Sequence, residues 1–231
     1  MKLNCYLIAA TAFMMLLNLN VSVAFCQSKP KSRPTSYWPA DVKFDSSITS
    51  PKQFFDFEIG QRHLEHSQLV AYLTKLANDS ERIELRTYGK THGGRPLLLL
   101  TISSPENLAN LHTIRKQHRQ LANPARSDKI DISDLPAVIN MGYGVHGDEA
   151  SATNCSALVA HFLAAAKGEE IERWLNNCVI LLDPSLNPDG FNRFANWVNG
   201  YRGVLPNSDP QHREHHQGLS LIHISEPTRP Y

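Results

Sequence analysis

"GYGVHGDEAS", residues 142–151, is the stretch on which the reading of this chain turns. The apolar run "AVINM" leads into it, and the small-residue pattern "ASATNCSALVAHFLAAA" leads out. That is the text of a strand ending near Val145 and a helix starting near Asp148. His146 and Glu149 stand three positions apart in the turn, among Gly142, Gly144 and Gly147, which permit a tight backbone. A strand end followed by a first helical turn aims both side chains at one point, and sites in open α/β sheets lie at the carboxyl ends of strands. Imidazole nitrogen and carboxylate oxygen are zinc donors, and a catalytic zinc takes three protein ligands and keeps one position open. Alone, H-x-x-E is weak. An acidic turn that favours a helix dipole would carry the same letters.

Working outward, short apolar runs alternate with helical periods. "SQLVAYLTKLA", 67–77, has apolar residues at helical spacing, with Ser67 as the predicted cap. "RIELRTYG" and "RPLLLLTIS" predict a strand pair across "KTHGG". "SPENLANLHTIRKQHRQLA", 104–122, predicts one helix, capped by Ser104 with Pro105 at its first position. "LPAVINMGY" reads as a buried strand, the next helix as spanning about 148–167, and "CVILLDPSLNPDG" as a second buried strand running into a turn. The expected fold class is α/β: a mixed, mostly buried sheet with helices on both faces.

The 231 residues suffice for one sizeable domain, and 42% apolar with 19% charged content is globular rather than disordered. A formal net charge of +1 gives no electrostatic case for nucleic acid or for an anionic membrane surface. Residues 1–26 read as an export signal: Lys2, the apolar core "YLIAATAFMMLL", and "AFCQ" with a cut ahead of Gln27. The apolar stretch is short for a membrane span and is interrupted by Asn18 and Asn20. The expected destination is the periplasm or the extracellular space, with no stable membrane association after signal cleavage. Residues 27–50, rich in Lys, Ser and Pro, read as a mobile leader. Cys155 and Cys178 remain after export, and the sequence leaves open whether they pair or stay as free thiols.

From about residue 51 to 218 the chain resembles the zinc-dependent metallocarboxypeptidase family, in its exported bacterial branch. The resemblance is carried by "YGKTHGGRPLLLLTISSPENLANL", "NMGYGVHGDEAS", "LLDPSLNPDGFNRFANWVNGYRG" and "DPQHREHH". "NPDGF" about forty residues after H-x-x-E is far more specific than either piece. The resemblance implies one zinc ion held by His146 and Glu149, a peptide as substrate, and a carbonyl-polarising arginine a dozen residues past Gly190. That position is Arg202, with Arg193 as its rival. Asn187, Pro188 and Asp189 are read as turn chemistry shaping the loop that carries the arginine.

Two features depart from the family pattern. The position before the zinc glutamate is an arginine that touches substrate in the digestive members; here it is Asp148, so a different substrate preference is expected. The resemblance also implies a third zinc ligand (a histidine), an Asn-Arg pair and a general-base glutamate further along, and no segment here matches them. "HREHH", 212–216, reads as a polar loop rather than a replacement. The tail "LSLIHISEPTRPY", 219–231, breaks from the family-like text and resembles an in-frame translation of a transposase-type sequencing adapter. The expectation is therefore a truncated catalytic domain, with an open sheet edge, poor solubility and no activity as written. The expected whole is a hydrolase. Its rivals are a zinc amidase or deacylase on the same scaffold, a non-catalytic binding protein, and a metal-free structural protein. Oligomeric state is not legible.

Overall fold

The computed structural model describes residues 38, 39 and 41–200. The export signal, half of the leader, Arg202, "HREHH" and the tail lie outside them. The chain divides into two units, Met1–Asp41 and Val42–Tyr231, and every element described belongs to the second. Among the described residues no helix is long and apolar enough to cross a membrane.

The strands are β1 (Lys43–Phe44), β2 (Ile83–Lys90), β3 (Pro96–Ile102), β4 (Ala137–Gly142), β5 (Ala166–Lys167) and β6 (Cys178–Asp183). The helices are α1 (Pro51–Phe55), α2 (His66–Asp79), α3 (Pro105–Ala109), α4 (Leu111–Leu121), α5 (Ala150–Ala165), α6 (Glu169–Asn177) and α7 (Pro188–Gly200), with a 3-10 turn at Ser127–Lys129. The main sheet has the order β2-β3-β6-β4. The β2–β3 and β3–β6 pairs are antiparallel and β4–β6 is parallel, so the sheet is mixed, as expected. The predicted hairpin across "KTHGG" is present, with Thr91 N–H donating to the Arg95 carbonyl at 2.9 Å.

Alternation sorts the strand side chains onto two faces. On one, Ile83, Leu98, Leu100, Ile102, Ile180 and Leu182 are all buried. α2 packs on β2 and on α5 and α7, and its Leu69, Leu73 and Leu76 are fully buried. The other face meets α4 across a groove of about 580 Å³, lined by Thr101, Val138, Val179 and Leu181 from the strands and by Ile114 and His118 from the helix.

Four local readings differ. β4 is not buried: Val138 is 45% and Ile139 38% exposed, on opposite faces, because among the described residues only β6 pairs with it. Its apolar letters match those of a core strand, but among the described residues its outer edge has no partner strand. α2 starts before Ser67, with Glu65 as cap and its backbone N–H donating to Gln68 Oε1 at 3.0 Å. The helix predicted over 104–122 is two, α3 and α4, broken at Asn110. The end of the predicted leader is part of the fold: Lys43 and Phe44 pair with Lys167 and Ala166, and Ile48 is buried. Both cysteines are free; Cys155 is exposed and Cys178 half-buried.

His161 on α5 is 3% exposed and stacks on Phe44 at 5.2 Å. Burial pushes its imidazole down to about 4. The unfolded chain binds a proton there below about 6.5 and the folded chain does not until about 4, so stability falls as pH drops through that window. The loss amounts to about 3 kcal/mol. Urea midpoints at pH 7 and pH 4.5 measure it, and His161→Phe should flatten the slope. An unchanged slope in that variant would assign the acid sensitivity elsewhere.

Candidate metal centre

β4 and β6 run parallel, so Gly142 and Asp183 end at the same edge of the sheet. The chain leaving each strand is laced to the other. Tyr143 N–H donates to the Asp183 carbonyl at 2.9 Å, Leu186 N–H to the Tyr143 carbonyl at 2.8 Å, and Asn187 N–H to the Gly144 carbonyl at 3.0 Å. These bonds fix the start of the 143–149 loop before α5 begins. Gly144 has φ +64°, a conformation that favours glycine. Its open side faces Thr153 Oγ1, which a Cβ would meet at 2.1 Å.

His146 is half-buried with its Nδ1 inside, Asp148 is half-buried, and Glu149 is exposed at the cap position of α5. Between them, Gly147 is buried against the first turn of α7, where a Cβ would stand 2.1 Å from the Gly190 carbonyl carbon. The H-x-x-E loop and "NPDG" are thus in direct backbone contact. "NPDG" is not the turn that the sequence suggested but the start of a helix. Asn187 Oδ1 accepts from Gly190 N–H at 3.0 Å, and Pro188 takes the first helical position, where it has no N–H to waste.

Asp189 ties that helix start to the β2–β3 hairpin. Its carboxylate accepts from Thr91 Oγ1 at 2.9 Å, Gly93 N–H at 3.0 Å and Arg95 Nη1 at 2.7 Å. Burial pushes the Asp189 carboxyl up, but the bonds from Arg95, Gly93 and Thr91 outweigh it and hold the group below its ordinary range. Beside it, Tyr88 OH donates to Asp183 Oδ2 at 2.5 Å, while Asp183 Oδ1 accepts from Ser185 N–H at 3.1 Å. Burial raises the Asp183 carboxyl against these bonds, and burial together with the carboxylate raises the Tyr88 phenol. No local pattern marks the Tyr88–Asp183 contact, whose partners lie 95 positions apart.

Imidazole and carboxylate are the donor types that zinc accepts, and His146 and Glu149 are of those types. Among the described residues no group of three His, Cys, Asp or Glu side chains converges.

The zinc carboxypeptidase family matches residues 69–218. Carboxypeptidase Z of Gallus gallus is 30% identical over 165 residues, which is 70% of this chain and 22% of that protein. The chain therefore spans about a fifth of the length of that relative. Among solved structures, carboxypeptidase A from Helicoverpa armigera is 18% identical with TM-score 0.41, covering 58% of this chain and 27% of that one. A metallo-carboxypeptidase from Burkholderia cenocepacia is 17% identical with TM-score 0.35, covering 54% and 26%. Membership rests on the family match, which takes in the hairpin, the H-x-x-E loop and the "NPDG" helix described above. The chain belongs to the zinc carboxypeptidase family.

Proposed function

We propose that this chain is the zinc-ligating part of an exported bacterial metallopeptidase of the carboxypeptidase type, which hydrolyses peptide bonds at peptide C-termini. The observation that carries the reading is the clamped loop at the ends of the parallel strands β4 and β6, which presents His146 and Glu149 three positions apart. In this reading His146 and Glu149 hold the ion, and a third donor comes from outside the described residues. Bound zinc supplies Lewis-acid polarisation of the scissile carbonyl and acidifies water. Arg202, also outside the described residues, steadies the negative charge that develops on the carbonyl oxygen. Gly147 and Gly144 set the loop, and Asp189 holds the helix start against which Gly147 rests.

Asp148 favours a second reading, a zinc amidase or deacylase acting on acylated amino acids or cell-wall peptides. A carboxylate attracts an amine, so this position favours an amine-bearing substrate, as a cell-wall peptide can be. The test uses the full gene product. Zinc content and affinity are measured for the protein and for His146→Ala and Glu149→Ala, with release of C-terminal residues assayed beside hydrolysis of N-acyl amino acids. We expect each variant to lose more than about 100-fold in zinc affinity, exceeding the loss typical of an outer-shell partner. Undiminished zinc binding in both would overturn the metal assignment. Zinc binding with acyl hydrolysis alone would select the amidase, and zinc binding with neither activity would make the protein a binder.

A further inference from the structure

We propose that a cavity at the C-terminal half of α4 is a binding site for a phosphate group, on elements that take no part in the His146 loop. The cavity measures about 280 Å³ and is walled by Arg115, Lys116, Arg119 and Arg126, with His112 and Asn123 beside them. No carboxylate lines it. Among the described residues none of these four cations forms an ion pair, whereas Lys52, Lys75, Arg82, Arg95 and Lys167 all do.

The chain builds this concentration of charge. Arg115 and Arg119 are four apart and Lys116 and Arg119 three apart, so α4 presents them as neighbours. Like charges at that spacing cost a few tenths of a kcal/mol per pair in an isolated helix. The negative end of the helix offsets Arg119 in the last turn, but neither Arg115 nor Lys116 lies there. Arg126 is brought back by the turn that follows. Asn123 Oδ1 accepts from Ala125 N–H at 3.0 Å, and the Asn123 carbonyl accepts from Arg126 and Ser127 N–H, both at 2.9 Å. Three guanidinium groups and an ammonium therefore wall one concavity with no counter-charge. A guanidinium fork matches the oxygens of phosphate in a bidentate way, which water and chloride do not. Both a soluble phosphate and a phospholipid headgroup carry this chemistry.

Titration calorimetry of the full chain with inorganic pyrophosphate, at low salt, reads the site. Arg115→Gln with Arg119→Gln should weaken binding at least tenfold, leaving the urea midpoint unchanged because both side chains are exposed. The charge-matched pair Lys43→Gln with Lys90→Gln, on β1 and β2, should bind as the parent does. Co-sedimentation with phosphatidylcholine vesicles, with and without phosphatidylglycerol, separates the sources. Capture by the anionic vesicles that the arginine pair abolishes assigns a headgroup. Pyrophosphate binding without vesicle capture assigns a soluble phosphate. The proposal is overturned if pyrophosphate does not bind, or if the two double variants lose affinity equally.

Discussion

Replacing Gly147 with alanine is expected to destabilise the protein by more than about 4 kcal/mol and to abolish metal binding at His146 and Glu149. The added Cβ would lie 2.1 Å from the Gly190 carbonyl carbon, 2.5 Å from its oxygen and 2.6 Å from its Cα. Overpacking ordinarily costs about 1–3 kcal/mol because side chains yield. Here the obstacle is backbone in the first turn of α7, pinned by the Asn187 cap and by the three bonds to Asp189. Either α7 withdraws from the hairpin or the loop moves, and in both cases the residues flanking Gly147 shift.

Gly144 provides the contrast. Alanine there meets a side-chain atom, Thr153 Oγ1, and the nearest carbon behind it stands at 3.4 Å. Thr153→Ala should therefore rescue part of the Gly144→Ala loss, leaving a residue of about 1–2 kcal/mol for the left-handed backbone. No single neighbouring truncation should rescue Gly147→Ala, since Gly190 has no side chain to remove. Urea unfolding and zinc titration of the four variants measure both claims. A Gly147→Ala protein within about 1 kcal/mol of the parent would show that the contact between the H-x-x-E loop and "NPDG" is slack, and the positioning role given to it would fall.

The parts of this fold that local chemistry determines were legible. The β2–β3 hairpin follows from two apolar runs and "KTHGG", and α5 from a small-residue helical pattern after a glycine-rich turn. The H-x-x-E pair His146 and Glu149 stands out in the sequence because its spacing is local, and "NPDG" because its letters are distinctive. What a residue faces across the chain was not. Val138 and Ile139 carry the letters of a buried strand, yet burial depends on a neighbour that the letters do not specify. Asp189 could be seen as turn chemistry, but its partners Thr91, Gly93 and Arg95 lie 94 to 98 positions away. The break at Asn110 was hidden because apolar spacing continues through it, from Leu108 to Leu111. The cationic cavity was invisible for a related reason: a basic helix reads as solvated until the turn at Asn123 returns Arg126 to it.

Asp189→Ala is expected to cost about 2–4 kcal/mol, more than the loss of any one of its partners. Three donors lose a charged acceptor at once, and hydrogen bonds to charged groups are worth about 1.5–3 kcal/mol each where water cannot replace them. Replacement is partial here, since the Asp189 and Arg95 side chains are 35% and 34% exposed, so the simple sum overstates the effect. Arg95→Met removes only the screened ion pair and should cost about 1 kcal/mol. Asp189→Asn keeps one acceptor oxygen but turns an amide N–H₂ toward a donor, which places it between the two. The pH dependence separates this contribution from that of His161. The Asp189 carboxyl sits below its ordinary range when folded, so its stabilisation is complete above that range and disappears only as pH falls beneath it. His161 has by then already lost most of its contribution, between about 6.5 and 4. Asp189→Ala should therefore lower the urea midpoint at pH 7 and make the most acidic limb of the stability profile shallower, since Asp45 and Asp79 also sit below their ordinary range, leaving the limb between 6.5 and 4 intact. A double-variant cycle with Arg95→Met should show coupling smaller than the Asp189→Ala loss itself, because Thr91 and Gly93 carry the remainder. Coupling equal to the whole loss would reduce the clamp to a single ion pair, and the hairpin would then hold α7 through Arg95 alone.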